Sequence, residues 1–491
     1  MSAMSKAYAA AGLDREIPTE LLIGGKWRPS AGGQRIDVLD PSTGEVITSV
    51  ADATVEDGLA AVAAAHDAGP AWAATPPRQR GEILRKCFAL MTERSEYFAR
   101  LISLENGKAL PDARGEAIYS AEFFRWFAEE AVRNIGEVSV APAGGYRILV
   151  EHQPIGVSVL VTPWNFPAAM ATRKLAPALA AGCTVVLKPA TETPLTAYAI
   201  AALMEEAGVP PGVVNVLTTS KSGPVISAML HDPRVRKLSF TGSTQVGRIL
   251  LKEAADQVLS CSMELGGNAP FIVFDDADLD KALEGAMLAK MRNGGEACTA
   301  ANRFLVQRGI AGHFAEGLAK RMGGLSMGAG YDSTTQLGPM VNKAAVDRIG
   351  AWVNEAAAGG AKVLIGGKPD PRPGFFYPAT VLTDVPEGSK LLNDEIFGPV
   401  APISVFDTAD EAVAMANATE YGLVAYVYTE DLKRGLKVSE RLEAGMVGLN
   451  RGLVSDPAAP FGGVKQSGLG REGGHFGIME FLETKYIAAS W

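Results

Sequence analysis

Short runs of β-branched and other apolar residues recur through the middle of the chain and predict buried strands. Four of them are GVSVLV (156–161), TVVLK (184–188), GVVNVL (212–217) and KLSF (237–240). Between the second and third lies PLTAYAIAALMEEAGV, where Ala199, Leu203 and Ala207 repeat at helical spacing and Gly208 provides a stop. Continuous apolar strands that alternate with helices are typical of a parallel sheet covered on both faces. The pattern therefore predicts a doubly wound α/β domain of the nucleotide-binding type.

The flanking segments carry different patterns. Residues 54–130 are mostly of helical type, and one apolar stripe there includes Cys87 and leaves Arg80 outside it. After residue 265 a second alternation of apolar runs and helical segments appears, which predicts a second α/β domain of similar size. Its predicted strands are APFIVF, RFLVQ, AKVLIGG, PISVF, LVAYVY and GMVGLN.

Charge and cysteine content narrow the class of protein. The 491 residues carry 46 Lys plus Arg against 55 Asp plus Glu, a net charge of −9, and no basic block, so nucleic acid is not an expected partner. The uncharged stretch 153–172 contains three prolines and an asparagine, which argues against a membrane span. Four scattered cysteines and no export signal favour the cytoplasm, and no Cys or His spacing predicts a metal site.

Two strand ends are candidate contacts for a nucleotide. In KLSFTGSTQVGRILLKEAA a strand leads through a turn with Gly242, Ser243 and Gly247 into a helix, whose N-terminus favours a phosphate. An ordinary βα turn with a capping serine fits this stretch equally well. Lys188 ends another predicted strand in VVLKPATETP, where it either contacts a ligand or is simply solvated.

One cysteine differs from the others. Cys298 in NGGEACTAANR is flanked by glycines and small residues that leave room above the sulfur, as a nucleophile needs. Cys87, Cys183 and Cys261 lie in apolar runs and are better interpreted as core residues.

Two further polar residues are candidates for catalysis. Glu264 in SMELGGNAP ends a predicted strand and is either a general base with a raised pKa or a surface residue. Asn165 in TPWNFP could donate to an oxyanion or form a turn.

Seven separated motifs occur in the order found in the aldehyde dehydrogenase superfamily, and the chain closely resembles that family from about residue 20 to its end. They are TPWNFP, LKPA, FTGST, ELGGNAP, GGEAC, EIFGPV and PFGGVKQSGLGREGG. The resemblance implies a Rossmann-like, doubly wound cofactor domain, a second α/β catalytic domain and a small β oligomerisation flap. It also implies that Cys298 attacks an aldehyde, that Asn165 and the Cys298 N–H hold the oxyanion, and that Glu264 activates the water that hydrolyses a thioester. A glutamate at position 264 speaks against a member that transfers the acyl group to coenzyme A.

The resemblance further implies NADP or NAD as cofactor. The matching positions are Thr162, Trp164, Asn165, Lys188, Ala190, Thr191, Gly242, Ser243, Gly247, Leu265, Glu395 and Phe397. Many NAD-selective relatives carry glutamate at the position of Thr191, where it repels a 2′-phosphate, so NADP is expected to be accepted and slightly preferred. The neighbouring Glu192 could partly restore that charge.

The substrate expectation comes from a subfamily resemblance. WNFPAAMATRKLAPALAAGCT and RKLSFTGSTQVGR are very similar to succinate-semialdehyde dehydrogenases. In that subfamily arginines hold the distal carboxylate, and the matching positions are Arg173 and Arg292, with Ser455 as a third contact. The alternatives are a helix-surface ion pair for Arg173 and a helix C-terminal cation for Arg292. The segment around Ser455 departs from the subfamily, so a glutarate semialdehyde or a broad range of aldehydes remains an alternative substrate.

The same resemblance divides the chain and predicts its assembly. Residues 1–132 and 154–263 would form the cofactor domain, 264–450 the catalytic domain, 133–153 and 472–491 the flap and tail, and 451–471 a substrate and linker segment. Strand-like edges in the flap and tail favour a homodimer or homotetramer. Two competing hypotheses are a cysteine esterase that needs no cofactor and a non-catalytic relative; the cofactor motifs argue against the first, and Cys298 with Glu264 against the second.

Overall fold

A computed structural model describes residues 3–491, so the first two residues of the predicted cofactor domain lie outside the described residues. The first part of the chain, up to the end of the cofactor sheet's helices, contains these elements: α1 (Ala3–Ala11), β1 (Leu21–Ile23), β2 (Lys26–Arg28), β3 (Arg35–Leu39), β4 (Val46–Ala51), α2 (Val55–Ala74), α3 (Pro77–Glu93), α4 (Ser95–Asn106), α5 (Leu110–Glu130), β5 (Glu137–Val140), β6 (Arg147–Pro154), β7 (Val157–Val161), α6 (Pro167–Ala181), β8 (Val185–Lys188), α7 (Pro194–Ala207), β9 (Val214–Val216), α8 (Ser222–Leu230), β10 (Val235–Thr241), α9 (Thr244–Ala255) and β11 (Ser260–Glu264).

The second part continues in the same alternating manner. Its elements are β12 (Ala269–Val273), α10 (Leu279–Met291), a 3-10 turn (Arg292–Gly295), β13 (Ala301–Gln307), α11 (Ala311–Gly323), α12 (Lys343–Ala358), β14 (Lys362–Ile365), β15 (Thr380–Thr383), α13 (Lys390–Asn393), β16 (Val400–Phe406), α14 (Ala409–Asn417), β17 (Val424–Tyr428), α15 (Leu432–Arg441), β18 (Met446–Leu449), a 3-10 turn (Lys465–Ser467), β19 (Gly468–Leu469), α16 (Phe476–Met479) and β20 (Leu482–Ala489).

An eight-stranded sheet organises the first α/β unit, in the order β19-β11-β10-β7-β8-β9-β1-β2. The four apolar runs predicted as strands form its centre as β7, β8, β9 and β10, and they pair in parallel. The helix predicted between two of them is α7, which has Pro194 in its first turn and ends at Gly208 in the left-handed region. β1 and β2 at one end of the sheet and β19 at the other pair antiparallel, so the sheet is mixed rather than wholly parallel.

A seven-stranded sheet organises the second unit, in the order β14-β15-β16-β13-β12-β17-β18. All neighbours are parallel except the antiparallel pair β14 and β15. Aromatic side chains fill one face, where Phe271 stacks on Tyr428 with a centroid distance of 5.0 Å. This confirms the prediction of a second α/β layer and adds β15, which the apolar pattern did not identify.

A separate three-stranded antiparallel sheet consists of β20, β6 and β5. β20 begins at Leu482, near the C-terminus, and pairs along its full length with β6. Several apolar side chains of this sheet and its ends face solvent: Ile135, Val138, Val140, Tyr486 and Trp491.

Arg80 does not lie outside the apolar stripe of its helix, as the sequence pattern suggested. It is 5% exposed, and its Nε donates to the carbonyl oxygen of Ala180 at 3.1 Å. Buried backbone carbonyls need donors, and a long guanidinium can supply them across two helices. The stripe residues Leu84, Cys87 and Met91 are buried as expected.

No helix in the described part of the chain is long and apolar enough to cross a membrane.

Candidate active site

A cavity of about 670 Å³ opens at the carboxyl ends of β7, β8, β10 and β11. This edge of a parallel sheet is where open α/β folds bind ligands. The cavity brings together residues from segments far apart in the chain. Those that the sequence singled out are Thr162, Trp164, Asn165, Lys188, Ala190, Thr191, Gly242, Ser243, Leu265, Cys298, Glu395 and Phe397.

Cys298 follows a backbone turn of unusual conformation. Asn293, Gly294 and Gly295 all have positive φ, of 53°, 59° and 81°. A Cβ on Gly295 would lie 2.3 Å from the carbonyl oxygen of Gly398, so glycine is required there both for conformation and for space. The Cys298 side chain keeps some exposure toward the cavity. Burial raises the pKa of its thiol to about 12, and Arg173 acts in the opposite direction, so the thiol is protonated in this state.

Asn165 is fixed from two sides next to the cysteine. Its side-chain Nδ2 donates to the carbonyl oxygen of Glu296 at 3.1 Å. The backbone carbonyl oxygen of Asn165 accepts from Lys108 Nζ at 2.6 Å and from Asn293 Nδ2 at 2.8 Å. The amide of Asn165 is therefore held at the segment that ends in Cys298, where a donor can meet a developing oxyanion.

Lys108 belongs to a buried support that sequence reasoning missed. Its Nζ lies 2.6 Å from Glu116 Oε2, and neither side chain has exposed surface. Glu116 Oε1 in turn accepts from the backbone N–H groups of Ala168 and Ala169 in the first turn of α6. The pair thus ties α5 to the helix that follows Asn165; the 57 residues between Lys108 and Asn165 leave no local pattern to reveal it.

Glu264 is the last residue of β11 and is buried, so it is not a surface residue. It is 3% exposed, and neither carboxyl oxygen has a hydrogen-bond partner among the described residues. Burial, followed by the charge of Glu472, raises the pKa of Glu264 well above its ordinary value, while Arg173 and Lys174 oppose that shift. The carboxyl group therefore keeps its proton to a higher pH than an exposed glutamate does.

The helix start after β10 is both a cavity wall and a capped turn. Ser243 is the N-cap of α9, and its Oγ accepts from the backbone N–H of Val246 at 3.4 Å. The sequence predicted that Gly247 lies in the turn before the helix. The structure instead places it in the first turn of α9. A Cβ there would lie 2.5 Å from Leu265 Cδ2, so its absence permits close packing of the helix against Leu265.

Lys188 ends β8 and is buried, with 7% exposure, so it is not a solvated strand terminus. Burial lowers the pKa of its ammonium group, and Glu192 partly offsets this effect. Thr191 donates its hydroxyl to Glu192 Oε2 at 3.1 Å, and both residues line the cavity. The carboxylate that Thr191 lacks is thus partly restored by its neighbour.

The opposite wall comes from the second α/β unit. Glu395 Oε1 accepts from the backbone N–H of Gly267 at 3.1 Å, and burial raises its pKa to about 7. Phe397, with φ of 51°, meets Trp164 edge to face at a centroid distance of 5.3 Å. Arg348 also lines this wall, although no sequence motif identified it. Its guanidinium donates to the backbone carbonyl oxygen of Ile396 at 3.2 Å.

Arg173 is not on a helix surface. It is 1% exposed, its Nε lies 2.7 Å from Glu472 Oε2, and its guanidinium covers the ring of Phe461 at 4.2 Å. The expected substrate arginine is therefore a buried cation that already has a carboxylate neighbour.

Arg292 lies at the end of α10, and its guanidinium turns over the ring of Phe166 at 4.9 Å. Its one hydrogen-bond partner in the described part of the chain is the Thr299 hydroxyl, at 3.5 Å. Phe166 belongs to a small apolar pocket with Ala169, Met170 and Ala297, beside which Cys298 lies. Arg292 is thus a cation at the wall of that pocket that forms no salt bridge among the described residues, although the charge of the Asp112 carboxylate interacts with it.

Ser455 is half-buried on the loop after β18. The structure does not connect it by a hydrogen bond to either arginine. Across residues 3–491, no group of three or more His, Cys, Asp or Glu side chains could hold a metal ion.

Known proteins with similar sequences share a common theme. The chain is 57% identical to a succinate-semialdehyde dehydrogenase from Paenarthrobacter nicotinovorans, over 90% of this chain and 98% of the relative. It is 48% identical to a glutarate-semialdehyde dehydrogenase from Pseudomonas aeruginosa, over 95% and 96%. It is also 47% identical to a 3-sulfolactaldehyde dehydrogenase from Pseudomonas putida, over 96% and 97%.

Solved structures agree with this fold. An Escherichia coli NADP-dependent enzyme matches with a TM-score of 0.95 and 48% identity, covering 97% of this chain and 98% of that one. A betaine aldehyde dehydrogenase from Staphylococcus aureus in complex with NAD⁺ matches with a TM-score of 0.95 and 34% identity, covering 99% and 96%. The model of the aldehyde dehydrogenase family matches residues 27–487. With these motifs, this cavity and this match over most of its length, the chain belongs to the aldehyde dehydrogenase family and is an oxidoreductase.

Proposed function

We propose that this protein oxidises an aldehyde with a distal carboxylate, succinate semialdehyde, to the corresponding acid with NADP or NAD. The observation that carries the proposal is Arg292, a cation that forms no salt bridge in the described chain and lies at the pocket beside Cys298. A guanidinium binds a carboxylate through paired hydrogen bonds and stays charged at all working pH values. The names of the three relatives above all describe aldehydes with an anionic group, a carboxylate or a sulfonate.

Cys298 is the proposed nucleophile. Its sulfur adds to the aldehyde carbon as the thiol proton passes to a base or a water in the site, and the carbonyl oxygen becomes an oxyanion in a thiohemiacetal. Asn165 Nδ2 and the Cys298 backbone N–H would donate to that oxyanion, since Asn165 is held at the cysteine's own segment. Because the thiol pKa is raised to about 12, this step needs a proton acceptor or the approach of a positive charge.

Glu264 is the proposed general base for the second half of the reaction. A thioester on Cys298 is hydrolysed when water, deprotonated by Glu264, attacks its carbonyl carbon and the sulfur leaves. Both carboxyl oxygens lack a hydrogen-bond partner among the described residues, so they are available to a water. The raised pKa makes Glu264 a stronger base once it has lost its own proton.

The cavity fits a nicotinamide dinucleotide. Its walls include the apolar side chains of Ile226, Val246 and Ile249 and the charged side chains of Lys188 and Glu395, and the charge of Glu395 acts on Cys298. We propose that Lys188 and Ser243 hold the adenosine half and that Glu395 holds the nicotinamide ribose, with Thr162, Ala190, Gly242 and Leu265 as further wall contacts. When bound, the oxidised nicotinamide accepts the hydride that leaves the aldehyde carbon. Trp164 and Phe397 would exclude water from this part of the site.

We propose that NADP is slightly preferred over NAD. Thr191 carries no charge that would repel a 2′-phosphate, and Lys188 supplies a nearby cation. Glu192 limits the preference, because its carboxylate lines the same cavity.

A cytoplasmic homodimer or homotetramer is the proposed state of the protein. The sheet of β5, β6 and β20 presents exposed apolar side chains and free strand edges, which a partner would cover. We keep residues 133–153 and 472–491 as the proposed flap and tail. The remaining segments stay divided as proposed from the sequence, with 451–471 contributing Ser455 to the substrate end.

A glutarate semialdehyde is the second candidate, favoured by the identity to the Pseudomonas aeruginosa relative. The test is to supply purified protein with succinic semialdehyde, glutaric semialdehyde or butanal, with NADP or NAD, and to follow the absorbance of the reduced cofactor. For the unaltered protein we expect the highest kcat/KM with succinic semialdehyde. Cys298→Ala should form no reduced cofactor with any of the aldehydes. No reduced cofactor with either semialdehyde would refute the proposal, and a higher kcat/KM with the five-carbon aldehyde would reassign the substrate.

A further inference from the structure

A cluster of buried charges lies behind the pocket that holds the proposed substrate. Glu472 has both oxygens in contact with cations: Oε2 is 2.7 Å from Arg173 Nε, and Oε1 is 2.5 Å from Lys174 Nζ. Lys174 Nζ also donates to Ser239 Oγ at 2.9 Å. The three charged side chains are each at most 7% exposed, so solvent screens their interactions weakly.

The backbone holds Glu472 in place. Its N–H donates to the carbonyl oxygen of Phe461, and its carbonyl oxygen accepts from the N–H of Phe461, both at 2.7 Å. Burial alone would raise the pKa of Glu472, but Lys174 and Arg173 hold it below its ordinary value. The carboxylate is therefore ionised and immobile at neutral pH.

The contact between Arg173 and Glu472 is close but poorly aligned. Neither Arg173 Nε nor Glu472 Oε2 forms a hydrogen bond, despite the distance of 2.7 Å. Among the described residues, the Nη2 end of the guanidinium donates to the sulfur of Met170 at 3.0 Å, and the Tyr119 side chain is a further polar neighbour of Arg173. Met170 lines the cavity and belongs to the apolar pocket around Phe166. Arg173 thus turns Nε toward Glu472 and a weakly satisfied Nη2 toward the pocket.

A carboxylate that enters the pocket must share Arg173 with Glu472. The guanidinium has one positive charge, and the fixed carboxylate behind it, which Lys174 also contacts, offsets part of that charge. Glu472 also repels a second anion across a poorly screened interior. Arg292 differs, because no carboxylate among the described residues forms a salt bridge with its guanidinium.

From this geometry we infer that Glu472 is an internal competitor of the substrate carboxylate for Arg173. It thereby sets how strongly the pocket prefers carboxylated over uncharged aldehydes. Glu472 is a positioning residue, since it acts on the substrate through Arg173. The inference rests on the proposed function, in which an anionic group reaches Arg173.

Two consequences follow for binding. Removal of the Glu472 charge leaves Arg173 free to attract the substrate carboxylate, so anionic ligands bind more tightly. Uncharged ligands of the same shape gain nothing, because they make no contact that depends on the charge of Arg173. The ratio of the two affinities isolates this effect from any loss of turnover that the substitution causes.

The test uses two unreactive ligands of equal length, succinamate and butanamide, as inhibitors of butanal oxidation with saturating NADP. We expect Glu472→Gln to lower the inhibition constant of succinamate relative to that of butanamide by about tenfold, the size expected for one close charge interaction. The shift should vanish when Arg173→Met is added to Glu472→Gln. Glu480→Gln is the matched control, because it removes a carboxylate from the same terminal segment, where it contacts Ser262 and Lys237 instead.

An unchanged ratio in Glu472→Gln, an equal shift in Glu480→Gln, or a shift that persists without Arg173 would each overturn the inference. If Glu472→Gln does not fold, Glu472→Asp takes its place; its retracted charge should shift the ratio about threefold in the same direction, and an unchanged ratio contradicts the inference. Failure of the proposed function looks different: butanal would then be oxidised more efficiently than succinic semialdehyde by the unaltered protein.

Discussion

At the scale of single residues, the site contains groups whose protonation in this state is opposite to what their proposed roles require. The pKa of Cys298 is raised to about 12 and that of Glu264 is raised well above its ordinary value, both chiefly by burial. The resting cysteine is therefore a thiol, and the carboxyl group of Glu264 holds its proton to a higher pH than an exposed glutamate does. Each group must lose a proton before it acts. Because burial raises both pKa values, the reactivity of the two groups depends on pH.

Glu264→Gln should separate the two halves of the reaction. One equivalent of reduced cofactor should form rapidly, and steady turnover should then fall about 10²- to 10⁴-fold, because no base activates water. Stopped-flow absorbance measures both phases.

In the unaltered protein, steady turnover should rise with pH, since the base form of a carboxyl with a raised pKa accumulates only as pH rises toward that value. This rise of turnover with pH should be absent from Glu264→Gln. A pH profile that is the same in both proteins would assign the base elsewhere.

Thr191→Glu should reverse the cofactor preference. The new carboxylate would stand beside Glu192 and repel a 2′-phosphate, so kcat/KM with NADP should fall about 10- to 100-fold relative to NAD. Thr191→Gln is the control of similar size without the charge. An equal loss with both cofactors would show that the position affects the loop rather than phosphate recognition.

At the scale of elements, buried polar contacts between helices fix the catalytic segments. Lys108 joins α4 and α5 to the loop that carries Asn165, and Glu116 caps α6 at the backbone of Ala168 and Ala169. A buried pair of this kind is strongly destabilising when one member is removed, since the other charge is left without a partner.

Lys108→Met should therefore lower both stability and turnover. We expect the free energy of unfolding to fall by about 3–5 kcal/mol, and kcat to fall more than KM rises, because Asn165 loses a contact. Urea unfolding and steady-state kinetics measure these effects. Lys343→Met, which breaks the exposed pair with Asp347 on α12, is the control and should change little. Equal effects of the two substitutions would mean that the Lys108 contact does not support the site.

At the scale of the whole molecule, local patterns predicted the strands and the motifs but not the partners that join them. The four apolar runs became β7 to β10 because continuous burial on both faces is visible within each run. The aldehyde dehydrogenase family and the α/β class are confirmed by the match over residues 27–487 and by the solved structures. The short antiparallel strands β1, β2 and β19 have two or three residues each and carry too little pattern to be recognised.

Long-range charge pairs set the limit of prediction. Lys174 and Glu472 are 298 residues apart, and no spacing rule links them. The sequence therefore identified Arg173 as a candidate cation but not the carboxylate that partly neutralises it. The burial of Arg80 was not predicted for the same reason, because the backbone carbonyl that accepts its hydrogen bond lies 100 residues away in the sequence.

The exposed sheet of β5, β6 and β20 leads to a prediction about assembly. Val138, on the edge strand β5, is 71% exposed. Val138→Glu should shift the proposed oligomer toward smaller species, as light scattering after size-exclusion chromatography would show, since a buried charge opposes strand pairing. Leu432→Glu, at an exposed apolar position on α15, should leave the mass unchanged.

In the proposed mechanism, Cys298 carries the acyl group that forms when the carboxylated aldehyde is oxidised. The most direct measurement is peptide mapping by mass spectrometry of Glu264→Gln after it reacts with succinic semialdehyde and NADP and is quenched with acid. The account predicts a succinyl group in near-stoichiometric amount on the peptide that contains Cys298. A protein that forms reduced cofactor but carries no acyl group there, or carries it on Cys87, Cys183 or Cys261, would contradict the account.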